Sequence, residues 1–335
     1  MSLFDDNPVN PPEENVRAPF SSDQREESPI EEPGAQPIIT QPLGGDPLSY
    51  VAFSPAASAP APNLPEDLRI SWSWPHLLVF VLFAIASQFT IAIVVLAYFS
   101  ANGHLSQKQL RHLLESDPRL IVGTNVLWFA LIILFLYVTL GVLRDSPFWR
   151  SLGWKKLDSD PGEGKGSPWM YFLCGCGLSI FVVIASSRVK DAEHAPIQEL
   201  FKSRDGAILL MAMAVFVAPL VEETIFRGYL YPVLARIFSA VAEFLGIECP
   251  RAIRAGVVFS ILLTGFLFGL MHAPQLGGNW GLVSLLVLVG VIFTFARAWT
   301  GTVLASFLLH LGYNSMIAVT SIIATHGFTQ MPKGH

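Results

Sequence analysis

Six side chains in the second half of this chain have the types and spacing for acid–base chemistry in an apolar setting. Glu222 and Glu223 are adjacent in the stretch from Val217 to Arg227, directly after a run of apolar residues long enough to lie in a membrane. Ionisable groups at such depth are costly and usually functional. Glu223 and Arg227 are four apart, the spacing at which an acid on the N-terminal side pairs best with a cation on a helix. That pair should hold the helix in place. Glu222, about 100° further round a helix of 3.6 residues per turn, has no guaranteed cation and is the better general base. Two later apolar segments each carry a histidine. His272 closes one of them, with Phe268 one turn before it and Ala273-Pro274 after it. His310 lies within the last, with Asn314 one turn later on the same face. An imidazole and a carboxamide presented together offer donors suited to an oxyanion formed during amide hydrolysis.

The elements that must position these residues are apolar helices. Of 335 residues, 52% are hydrophobic and only 14% charged, with mean hydropathy +0.50, against roughly 25% charged in a typical soluble protein. Candidate spans approaching the roughly 20 residues that cross a hydrocarbon core fall near 75–99, 119–143, 168–187, 206–236, 252–271, 281–298 and 302–324. The expected fold is therefore an all-α, polytopic transmembrane bundle of seven helices, or eight if Tyr229–Ile247 forms its own span. Leu105–Arg119 reads as an amphipathic surface helix; Arg144–Gly166 and Ser187–Arg204 read as polar loops. Pro219 is expected to break or kink the fourth span by biasing Ala218 away from helical angles; if a new helix starts there, the two glutamates fall in its first turn.

Residues 1–70 are different in kind. They hold 12 acidic residues against three basic ones and 13 of the 24 prolines, a composition that cannot repay the entropy of ordering, and a disordered tail is expected. The division is then 1–70 tail, 71–200 N-terminal transmembrane helices and 201–325 catalytic domain. No basic patch suggests nucleic acid. Cys174, Cys176 and Cys249 lack the spacing of a zinc site or a disulfide framework and are expected to be inert packing residues.

Glu222-Glu223-x-x-x-Arg227, Phe268-x-x-x-His272 and His310-x-x-x-Asn314, in that order and each in an apolar segment, resemble the signature of the CAAX prenyl protease and bacteriocin-processing family of intramembrane glutamate proteases. The resemblance covers roughly residues 200–325. It implies an integral, multi-pass membrane endopeptidase, in the cell membrane if bacterial, that needs no metal or other cofactor. Glu222 and His272 would activate water, His310 and Asn314 would stabilise the oxyanion, and Glu223 with Arg227 would be the supporting ion pair. The partners implied are membrane lipid and a membrane-associated or lipidated peptide or protein, prenylated or bacteriocin-like. The tail could bind a partner whose identity the sequence does not reveal.

Three other readings use the same residues. Two glutamates and two histidines could ligate zinc with an open water position, although the chain has no H-E-x-x-H. Intramembrane acids and histidines also line transport paths, but here they are confined to one half, whereas many transporters are built as two related halves. A non-enzymatic immunity or scaffold protein would not need the whole set.

Overall fold

The computed structural model describes residues 64–102, 116–157, 165–190 and 203–329, with isolated positions between 106 and 113. The expected tail up to residue 63, about half of the Leu105–Arg119 surface helix, residues 158–164 of the first polar loop and residues 191–202 of the second lie outside the described residues. The described part is helical: α1 (Trp74–Asn102), α2 (Pro118–Leu136), the short α3 (Phe148–Ser151), α4 (Pro168–Ser186), α5 (Arg204–Ala212), α6 (Ala218–Glu223), α7 (Tyr231–Phe244), α8 (Arg251–Met271), α9 (Trp280–Thr300) and α10 (Val303–Ala324). Among the described residues there are no strands.

Among the described residues, seven helical runs are long and apolar enough to cross a membrane, at positions close to those expected except that the fourth runs on to Phe244, and the protein is an integral multi-pass membrane protein. Their start signals are local. The Asp117 carboxylate accepts from the N–H groups of Arg119 and Leu120 at 2.8 and 3.1 Å, with Pro118 at the first helical position. Asn279 caps α9 in the same way, through Gly281 and Leu282. Gly301, at φ 73°, ends that helix, and Thr302 caps α10 through Leu304 N–H.

The fourth run, Arg204–Phe244, is a single helical stretch of 41 residues, so Tyr229–Ile247 is not a separate span. At 1.5 Å per residue that is about 60 Å of helix, roughly twice the hydrocarbon thickness. Pro219 does not break it. Ala218 keeps helical angles (φ −59°, ψ −47°), and the chain instead widens into π turns at Met213–Val217 and Thr224–Leu230 on either side of α6. A wider turn leaves room for the proline ring and carries the helix past the missing N–H. The glutamates therefore sit mid-helix, without the free N–H groups of a helix start.

Inside a bilayer, helices associate through close backbone approach rather than through expulsion of water. The α4–α10 contact is made by glycines: a Cβ on Gly312 would lie 2.0 Å from Phe172 O, and one on Gly175 would lie 2.0 Å from Leu309 O. Gly265 and Gly269 of α8 likewise admit Val291 and Val287 of α9. Gly312→Ala must force α4 and α10 apart, with an expected destabilisation of about 1–3 kcal/mol. Thermal unfolding in detergent checks this, and an unchanged midpoint would contradict the packing argument. On α4 the packed face is Tyr171, Gly175, Ser179 and Val182, which turns Cys174 outward. Cys174 and Cys249 are exposed rather than packed, all three cysteines are free, and the Cys176 thiol donates to Gly312 O at 3.4 Å.

Residues 64–70, expected as tail, belong to the bundle. Glu66–Leu68 form a 3-10 turn whose Leu68 is fully buried against Tyr231, Ala235, Ile253 and Val257. Asp67 pairs with the buried Arg297 at 3.4 Å, and Trp72 stacks on Tyr229 at 5.6 Å. The buried Leu68, with Trp72 packed just after the segment, outweighs its polar composition. The Arg144–Gly166 loop is also partly built in. Phe148 and Leu152 are buried, and Thr302 Oγ1 donates to Lys155 O at 2.7 Å while Val303 N–H donates to Gly153 O at 2.9 Å.

Candidate active site

The fourth run and the last helix meet at a set of buried charges. Glu223 and Arg227 have no exposed side-chain surface and pair at 2.8 Å. The guanidinium has no unsatisfied side: Nη2 donates to Gly290 O at 2.9 Å, Nε donates to Thr294 Oγ1 at 3.2 Å, and the cation lies 4.5 Å from the centre of the Phe268 ring. Arginine suits this place, because its planar fork can serve a carboxylate, a carbonyl and a hydroxyl at once while stacking on an aromatic ring. Thr294 is itself held by donating to Gly290 O at 2.7 Å.

His310 joins the two glutamates. Its Nδ1 lies 2.9 Å from Glu223 Oε1, the same oxygen that Arg227 uses, and its Nε2 lies 3.9 Å from Glu222 Oε2. A carboxylate only accepts, so Nδ1 carries the proton of that bond and Nε2 faces Glu222. Glu222 thus has a histidine opposite it, which the spacing of the acids did not indicate. The imidazole is packed between aromatic rings, with Phe293 at 5.0 Å and Phe268 at 5.8 Å.

His272 is half-buried at the end of α8. Its Nδ1 donates to Phe268 O at 2.8 Å, which fixes the tautomer and leaves the Nε2 lone pair free in the neutral ring. Phe268 is the shared wall, packed 4.8 Å from the His272 ring and also against His310 and Arg227. Asn314 is placed otherwise than its pairing with His310 suggested: its Nδ2 donates to Ala214 O, in the π turn before α6, at 2.7 Å. One amide hydrogen is thereby used and one remains.

Glu222, Glu223, Arg227 and His310 are therefore in one buried cluster, with His272 joined to it through Phe268 and Asn314 tied to the helix that carries the acids. Sequence reasoning missed Thr294 and Gly290, whose partners lie more than 60 residues away. It also missed Trp154, whose indole N–H donates to Thr224 Oγ1 at 3.2 Å, beside Glu223. A buried threonine one turn after a glycine in an apolar span was the available signal for Thr294. Among the described residues, no three His, Cys, Asp or Glu side chains are grouped to hold a metal ion.

Seven apolar helical runs among the described residues, with a buried glutamate–histidine–arginine cluster between the fourth and the last three, define a membrane protein with an ionisable site inside its bundle. Residues 204–316, which contain every side chain of that cluster, match the family described as type II CAAX prenyl endopeptidase Rce1-like. In this segment the chain is similar to that family, which is one of membrane proteases. No curated protein and no solved structure matches it.

Proposed function

We propose that the protein is an intramembrane endopeptidase that hydrolyses a peptide bond of a membrane-associated substrate, prenylated at a C-terminal C-a-a-X box or bacteriocin-like, without a metal. Glu222, assisted by His272, takes a proton from water, and the resulting hydroxide adds to the scissile carbonyl carbon. The oxyanion is held by the remaining amide hydrogen of Asn314 and by His310, which keeps Nδ1–H on Glu223 and donates from Nε2 in its doubly protonated form. As the C–N bond breaks, the proton held by Glu222 passes to the leaving amine. Glu223 and Arg227 keep His310 and the acid-bearing helix in place. The observation that carries this reading is His310 held between the two glutamates, with Glu223 committed to Arg227 and Glu222 facing the other imidazole nitrogen. The catalytic domain proposed is 201–325. Its place within an apolar bundle suits a substrate arriving sideways from the lipid.

The test is cleavage of a panel of quenched fluorescent peptides, farnesylated and unmodified, by the purified full chain in detergent. Cleavage of at least one peptide, at a rate unchanged by excess chelator, is expected. A rate abolished by chelator and restored by zinc would replace water activation by Glu222 with metal catalysis. No cleavage across the panel would favour a binding protein.

A further inference from the structure

The turn that precedes the two glutamates contains a carbonyl that the backbone cannot satisfy. In the π turn Met213–Val217, Ala218 N–H donates back five residues to Met213 O. The next bond in that register would run from residue 219 to Ala214 O, but residue 219 is proline and has no N–H. In hydrocarbon no water stands ready to fill the gap, and an orphaned carbonyl is strongly unfavourable. The partner comes from another helix. Asn314 of α10, 100 residues away in sequence, donates its Nδ2 hydrogen to Ala214 O at 2.7 Å.

We infer that Asn314 is a positioning residue whose side-chain amide stands in for the hydrogen that Pro219 lacks, splicing α10 into the helix that carries Glu222 and Glu223. The same α10 carries His310 one turn earlier, so one hydrogen bond sets the distance between the histidine and both acids. The pieces are complementary. The proline frees the carbonyl, the π turn aims it outward, and the asparagine reaches it from the helix that must be held in register. This job uses one amide hydrogen and leaves the other for the oxyanion, so it adds to the hydrolytic reading. Only its kinetic arm rests on that reading.

The test is a double-mutant cycle between Asn314→Ala and Pro219→Ala in the full chain. In the Pro219→Ala background a backbone N–H is available to Ala214 O, and the asparagine is no longer needed there. Asn314→Ala alone is expected to lower kcat about 10²-fold with KM little changed, as a misplaced catalytic group does. The same change in the Pro219→Ala background is expected to cost about tenfold less in kcat. The thermal midpoint in detergent should follow the same pattern, with a large drop in the first background and a small one in the second. Equal losses in both backgrounds, in rate and in midpoint, would overturn the inference and leave Asn314 as an oxyanion donor alone. If Pro219→Ala is itself inactive, the cycle in thermal midpoints decides. If the unaltered protein cleaves none of the farnesylated or unmodified peptides, the hydrolytic reading fails while the thermal cycle still tests the splice.

Discussion

Glu222→Gln is expected to abolish peptide cleavage, by about 10²–10⁴-fold or more, while the protein stays folded with a thermal midpoint close to that of the unaltered chain. The amide keeps the shape and volume of the carboxyl group opposite His310 Nε2, which faces this position at 3.9 Å. It cannot take a proton from water. The Glu223–Arg227 pair and the Glu223–His310 bond do not involve residue 222, so the framework of the site is retained. Single-turnover cleavage of whichever peptide the unaltered protein accepts, measured beside a melting curve, checks both halves. A variant that still turns over at a comparable rate would move the general base elsewhere, with His272 the first candidate.

Arg227→Ala is expected to lose both activity and stability, by about 3–5 kcal/mol, because it leaves a fully buried carboxylate without its cation. The loss comes from several contacts at once. Thr294 Oγ1 gives up its donor, Gly290 O keeps Thr294 but loses the guanidinium, and the faces of Phe268 and Phe293 lose a packed cation at 4.5 and 5.4 Å from the ring centres. The double variant Glu223→Gln/Arg227→Met distinguishes charge from packing. It removes both ions while keeping most of the volume, so much of the stability should return. Activity should not return, because His310 Nδ1 then faces a neutral amide instead of a carboxylate. Chemical denaturation in detergent, paired with the cleavage assay, reads both effects. A double variant as unstable as Arg227→Ala would show that the ions themselves, and not the loss of one partner, hold the bundle together.

The helices were legible because their signal is length and apolarity, which composition along the chain records directly. All seven runs lie where those two properties placed them. The contact between Glu223 and Arg227 was legible for a similar reason, since a spacing of four on a helix is local geometry. Pro219 shows the limit of local rules. Its preference for a break was overridden because a π turn could absorb the ring and a side chain from α10 could serve the stranded carbonyl. Residues 64–70 show the same limit, since Leu68 finds a buried place that only the assembled bundle provides.

The sequence by itself determined the solvent, the approximate places of the spanning helices and the identity of the ionisable groups among them, because apolar length and residue type need no knowledge of what lies across the bundle. Only the tertiary structure decided how those groups are shared. It set Glu223 Oε1 between Arg227 and His310, turned His310 Nε2 toward Glu222, and spent one hydrogen of Asn314 on Ala214. Each of these contacts joins residues from different helices or depends on one that does. Their distances follow from how closely glycine-lined helices approach each other, which no single segment encodes.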